Sequence, residues 1–204
     1  AASIAHEINN PLAGALVYTQ LLTKKAGGDS FDKEEAIANL SKIESAVSHC
    51  STLVRGLLDF ARQSAPVLQQ VAVSDVLDNV MTVVGHQAQM SHVEVTREET
   101  SPSLDVLADP HQLQQVLTNL VINAIQAMPD GGRLTISTAA DEDGQVAVSV
   151  EDTGCGIAPE NIDKLFTPFF TTKEEVKGVG LGLAVSHGIV ERHGGRIEVQ
   201  SEVG

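Results

Sequence analysis

Four stretches of this chain carry side chains in patterns that could do chemistry. The first is His6-Glu7-Ile8-Asn9-Asn10-Pro11. Imidazole is the side chain that changes charge near neutral pH, and it also ligates metals. The pair His6-Glu7 could open a zinc-protease helix, but H-E-x-x-H needs a second histidine at position 10, where Asn10 stands. The plainer reading of such a residue is a surface histidine with no task. The second pattern is Asn119 and Asn123, four residues apart and so on one flank of a helix. Asparagine is a poor helix former; the pair either bonds to a neighbouring sheet or reaches a ligand. The third is Asp152-Thr153-Gly154-Cys155-Gly156. A carboxylate followed by two glycines lets backbone approach a flat ligand while the acid accepts a hydrogen bond, although an ordinary acidic turn looks the same. The fourth is Gly178-Val179-Gly180-Leu181-Gly182-Leu183. Glycines that open a helix expose backbone N–H groups and a helix dipole to an anion. No Lys-Ser or Lys-Thr follows as a P-loop requires, and the glycine spacing and preceding polar loop do not fit a dinucleotide fingerprint.

These groups need elements to hold them. Leu40, Ile43, Val47, Cys50, Val54, Leu57 and Ala61 step by three and four, a heptad seam that predicts a long packed helix over about Asp32–Gln63. Asp32 is the expected N-cap, with Glu35 as its capping-box partner. Upstream, Ala1, Ile4, Ile8, Pro11, Ala15, Tyr18 and Leu22 repeat the stepping, and Ala26 to Ser30 is turn chemistry. Two helices joined by a short loop pack antiparallel, and the surface they leave uncovered predicts a four-helix bundle of two chains. His6 lies about 200° from this seam, facing solvent, and Pro11 should bend the helix beside it.

Beyond Pro66 the pattern changes. Strands are expected near Leu68–Val73, His92–Thr96, Leu104–Leu107, Arg133–Ala139, Gln145–Glu151 and Arg196–Gln200. Helices are expected from Ser74 as N-cap to Gln89, from Asp109-Pro110 to Met128, and from about Gly180 to Gly194-Gly195. Interleaved strands and helices, with some strands joined as hairpins, predict a mixed sheet covered by helices on one face.

Composition narrows the function. The 204 residues carry a formal charge of −14, which argues against nucleic acid as a partner. The charge is uneven: residues 1–64 sum to −1 and residues 65–204 to −13, which places a domain boundary near Ala65. Cys50 and Cys155 form neither a metal spacing nor a disulfide framework, and no apolar run or leader points to a membrane, so a cytoplasmic setting is expected.

The order of the four patterns is more specific than any one of them. His6 to Pro11 resembles the phosphoacceptor box of sensor histidine kinases, and Asn119 to Asn123 their N box. Asp152 to Gly156 is similar to the first glycine box, Phe166 to Phe170 to the phenylalanine box, and Gly178 to Gly182 to the second. Phe169 to Lys173 further resembles the nitrogen-regulation type. The resemblance spans nearly the whole chain. It implies a helical dimerisation and phosphotransfer domain over residues 1–64, forming a dimeric four-helix bundle, then an α/β ATP-binding domain of the Bergerat type over residues 65–204. That domain usually continues past Gly204 into a final strand.

Roles follow by the same resemblance. His6 would accept the phosphoryl group and Glu7 would take or orient its proton. Asn123 would ligate Mg²⁺ on the ATP phosphates with Asn119 alongside, and Asp152 would accept from the adenine amino group. Gly154, Gly156, Gly178, Gly180 and Gly182 would let backbone close on the nucleotide, within reach of a lid from Phe166 to Val179 carrying Lys173. Asn10 would help dephosphorylate the partner, a response-regulator receiver domain, or else would merely cap the carbonyl freed by Pro11. One departure is Gln126, where relatives often carry Lys or Arg; Lys173 and Lys177 are the candidates to replace that contact. Membrane contact would come only through segments outside this chain. Two rival readings are a hydrolytic ATPase of the same fold and a non-enzymatic nucleotide-binding scaffold. The first needs a water-activating glutamate where Asn119 stands.

Overall fold

A computed structural model describes the chain apart from residues 1, 27–31, 62–64, 100–103, 141–143 and 173–179. Its contacts divide it into a helical unit within Ala1–Arg62 and an α/β unit formed by Gln63–Thr171 and Gly180–Gly204.

The helical unit is a hairpin of α1 (Ala2–Ala26) and α2 (Lys33–Ala61). α1 runs unbroken through Pro11. Asp32 Oδ1 accepts the Glu35 N–H at 3.1 Å, so half of the expected capping box forms. The Glu35 carboxylate pairs instead with Lys25, tying the two helices beside their connection. Further along, the Lys42 ammonium lies 4.9 Å from the Tyr18 ring centre, and the Cys50 thiol donates to the Ile8 carbonyl at 3.7 Å.

On α1 the expected seam packs, with Ala15 buried and Ile8, Pro11, Tyr18 and Leu22 half-buried. On α2 the seam is partly displaced. The residues covered by the hairpin are Ala36, Asn39, Ile43, Ala46, Cys50, Leu53 and Leu57. Leu40, Val47 and Val54 of the expected seam are exposed, at 56%, 49% and 42%. α2 carries two overlapping 3-4 stripes. The one with alanines at positions 36 and 46 permits the closer approach, so it meets α1 and turns the bulkier stripe outward.

The α/β unit contains β1 (Gln69–Ala72), α3 (Val73–Met90), β2 (Val93–Glu99), β3 (Asp105–Ala108), α4 (Pro110–Ala127), β4 (Gly132–Ala140), β5 (Val146–Asp152), a short α5 (Pro159–Ile162) and α6 (Gly182–Arg192). β4 is central to a three-stranded mixed sheet, parallel to β2 and antiparallel to β5, while β1 and β3 form a separate antiparallel pair. Leu134, Ile136 and Thr138 of β4 alternate inward and are buried. Leu134 and Ile136 meet Leu77, Val80 and Val84 of α3 and Leu117, Val121 and Ile125 of α4 in one core. A second cluster, Val116 with Val185 and Ile189, joins α4 to α6.

Three local expectations are corrected. α3 starts at Val73 rather than after Ser74, and its cap residue Ala72 makes no side-chain bond. The Val73 N–H is satisfied by the Leu104 carbonyl at 2.9 Å, a tertiary partner that replaces a cap. Residues 196–200 form no strand. A strand exists by its ladder, which this segment lacks; the residue that follows it bonds to the turn after β5, where Ser201 Oγ accepts the Ile157 N–H at 2.9 Å. α6 begins at Gly182, two residues later than expected.

Candidate functional site

The site is built around α4. Asp109 caps its start, accepting the His111 and Gln112 N–H groups at 3.0 and 3.2 Å, and Pro110 occupies the first turn as the sequence expects. The same carboxylate accepts the Val67 N–H at 3.0 Å. The Val67 N–H beside Asp109, against the opposing effect of burial and with help from Gln112 and His111, holds this carboxyl below its ordinary value. The Asp109 N–H in turn donates to His193 Nε2 at 3.0 Å, and the other ring nitrogen faces the Ile189 carbonyl at 2.8 Å. Nε2 is therefore the acceptor and Nδ1 carries the proton, which ties the end of α6 to the start of α4.

At its far end α4 meets the loop that follows β5. The Cys155 N–H donates to the Ala127 carbonyl at 3.0 Å. A Cβ on Gly154 would stand 2.6 Å from that oxygen and 2.7 Å from the Ala127 Cβ, so glycine is what allows the contact. Asp152 is exposed, and its Oδ1 accepts the Gly154 N–H at 2.9 Å. The turn thus orients the carboxylate, whose second oxygen has no partner among the described residues.

Asn119 and Asn123 lie half-buried on α4. Asn119 Nδ2 donates to the Gly182 carbonyl and to Ser186 Oγ, each at 3.3 Å. The bond runs to α6 rather than to the sheet, which corrects the plainer of the two sequence readings. Gly180, with φ of 66°, accepts the Phe169 N–H at 2.9 Å, and a Cβ there would lie 2.6 Å from the Phe170 oxygen. Phe166 is half-buried with its ring 4.7 Å from that of His187. Gly156, with φ of 69°, faces the Glu202 backbone, where no Cβ fits.

The α/β unit therefore gathers Asn119, Asn123, Asp152, Gly154, Gly180 and Gly182 around the end of α4 and the start of α6. Lys173 and Gly178 lie outside the described residues. In the helical unit His6 and Glu7 lie on α1 with side chains outside the description, and Asn10 is exposed one turn on. Two residues escaped the motif reading. Ser186 leaves a faint signal, a hydroxyl in the apolar run Ala184, Val185, Ile189; His193 leaves none that distinguishes it from a surface histidine.

The donors available for a cation are carboxamide oxygens. Among the described residues no group of three or more His, Cys, Asp or Glu could hold a metal. That set suits Mg²⁺, which keeps several waters and takes one or two protein oxygens alongside phosphates, and it does not suit a protein-caged metal.

Two family descriptions match the chain in succession. "His Kinase A (phospho-acceptor) domain" covers residues 1–66, and "Histidine kinase-, DNA gyrase B-, and HSP90-like ATPase" covers residues 108–204. The chain belongs to the sensor histidine kinases. Within that family it is 36% identical over 208 residues to the sensor histidine kinase ZraS of Escherichia coli (strain K12), covering all of this chain and 42% of the relative. Its fold is similar to full-length ShkA solved with AMPPNP, at a TM-score of 0.71 and 30% identity, covering all of this chain and 42% of the other. It is also similar to the histidine kinase ThkA solved with the response regulator TrrA, at a TM-score of 0.75 and 27% identity, covering 95% of this chain and 54% of the other. The chain thus spans under half the length of the curated kinase it matches. No described helix of this histidine kinase chain is long and apolar enough to cross a membrane.

Proposed function

We propose that this chain transfers the terminal phosphoryl group of ATP to His6 and passes it to an aspartate of a response-regulator receiver domain. The observation that carries this reading is the succession, in one chain, of a phosphoacceptor domain holding His6 and an ATPase-type domain. Relatives solved with an ATP analogue and with a response regulator support it. The working boundary is residues 1–64 for the acceptor domain and 65–204 for the ATP-binding domain.

Phosphoryl transfer asks the protein for alignment and charge compensation more than for covalent chemistry. Asp152, oriented by the Gly154 N–H, accepts from the adenine amine. Gly180 and Gly182 leave the start of α6 open to phosphate oxygens, and by the family resemblance Gly178 and Lys173 would serve the same phosphates. Asn123, with the Asn119 oxygen, would hold Mg²⁺, whose charge would offset that of the phosphates. An imidazole nitrogen of His6 bonds the terminal phosphorus, the bond to the bridging oxygen breaks, ADP leaves with that electron pair, and Glu7 accepts the ring proton. Asn10, exposed on α1 and four residues from His6, orients a water toward the aspartyl phosphate of the receiver in a separate phosphatase reaction that releases inorganic phosphate. The exposed stripe of Leu40, Val47 and Val54, with Leu12 and Leu16 on α1, is the face of a homodimer.

A hydrolytic reading is not favoured. At the position where it needs a carboxylate base stands Asn119, an amide whose N–H groups are turned to α6. The deciding measurement is incubation with γ-labelled ATP and Mg²⁺. Acid-labile, base-stable label should appear on the parent chain and vanish in His6→Ala, with nucleotide binding retained. Label that persists in His6→Ala would overturn the assignment.

A further inference from the structure

We infer that Ser186 is a positioning residue for the cation-dependent step: together with the Gly182 carbonyl it holds the Asn119 carboxamide so that Oδ1, and not the NH₂ group, would face the nucleotide-bound metal. This rests on the reading of α4 as the metal-bearing helix of an ATP site.

The argument begins with burial. Ser186 is completely buried, on the side of α6 that also carries Ala184, Val185 and Ile189. A hydroxyl in such a place is costly unless it is bonded. Its partner is Asn119 Nδ2, at 3.3 Å. The same nitrogen reaches the carbonyl of Gly182 at 3.3 Å. Gly182 and Ser186 are four residues apart, one turn of α6, so carbonyl and hydroxyl line up on the same side of the helix. A primary amide has two N–H donors, and here both have an acceptor on α6.

This fixes the polarity of the amide. The Gly182 carbonyl can only accept, so a flipped Asn119 would set oxygen against oxygen there and keep at most a bond donated by the Ser186 hydroxyl. Oδ1 is left outward, without a partner among the described residues, and it is an acceptor. It can ligate a hard cation or accept from a metal-bound water, but it cannot donate to phosphate. The opposite polarity would do the reverse: an outward NH₂ would bond phosphate oxygens and turn a positive dipole end toward the metal. The Gly182 carbonyl thus sets which of two chemistries position 119 performs, and Ser186 is the second anchor that holds the amide in that pose. Without it, one N–H loses its acceptor and the Gly182 carbonyl alone holds the amide. Both bonds are long, so the effect is expected to be moderate.

The test uses this chain, a fluorescent ATP analogue titrated in Mg²⁺ and in EDTA, and thermal melts. Ser186→Ala should weaken binding in Mg²⁺ by on the order of threefold to tenfold, the loss of one net hydrogen bond, and leave binding in EDTA unchanged. Asn119→Ala should weaken it in the same direction. Adding Ser186→Ala to Asn119→Ala should change nothing further, because Ser186 acts through Asn119. Ser186→Cys, close in volume and a weak acceptor, should follow Ser186→Ala and serves if the alanine variant does not fold. A merely structural Ser186 would weaken both conditions equally or add its effect to that of Asn119→Ala, and either result overturns the proposal. If Asn119→Ala leaves Mg²⁺-dependent binding intact while Asn123→Ala abolishes it, the positioning role fails and the functional reading stands. If the parent chain binds no ATP analogue in either condition, the functional reading itself fails.

Discussion

Gly154 and Gly182 stand at opposite sides of the site for different physical reasons. At Gly154 a side chain would run into the Ala127 carbonyl and Cβ at 2.6 and 2.7 Å, whether or not a ligand is bound. At Gly182 an added Cβ would meet Asn119 at 3.7 Å, an ordinary contact. Gly154→Ala should therefore cost about 1–3 kcal/mol of stability, as overpacking against backbone does. Gly182→Ala should leave the urea midpoint nearly unchanged and weaken ATP binding, since only the ligand would feel the new methyl group. Urea unfolding paired with nucleotide titration separates the two; equal destabilisation by both variants would contradict this. The glycines were legible in the sequence as a pattern, because their spacing and order are those of the glycine boxes. Their separate causes were not, because the clash at Gly154 comes from Ala127, distant in the chain. Ser186 was hidden for the same reason: its partner is Asn119 on another helix.

At the scale of elements, periodicity located both helices of the hairpin and the α1 face that packs. It could not decide between two stripes on α2, since both step by three and four and packing against a neighbour chooses. The outward stripe makes a testable demand. Leu40→Glu with Val47→Glu should keep helix content and shift the chain from dimer to monomer at micromolar concentration in light scattering. Dimers that survive this double substitution would place the interface elsewhere. Caps were legible where the partner is local, as at Asp109 and Asp32, and missed where it is tertiary, as at Val73. The expected strand at 196–200 had strand-like residues but finds no ladder among the described residues, because alternation predicts a surface and not a neighbour.

At the scale of the α/β unit, Asp109 joins three places: the chain before β1 through Val67, the start of α4, and the end of α6 through His193. Its folded pKa lies below the ordinary 3.8, so its stabilisation is complete above that value and is lost as pH falls through the folded pKa. The urea midpoint should therefore drop as pH is lowered from about 5 toward 3, and Asp109→Asn should flatten part of that drop. An unchanged acid slope in the variant would remove Asp109 from this role. The clamp between Cys155 and Ala127 has a consequence of another kind. The loop that offers Asp152 is bonded to α4 one turn beyond Asn123, a rise of about 6 Å along the helix axis. On the proposed reading, base acceptor and metal donor would be graduations on one ruler. Lengthening α4 between them by a single residue would shift one mark about 1.5 Å and rotate it by about 100°, so the chain would misread a ligand whose chemical groups were all correct.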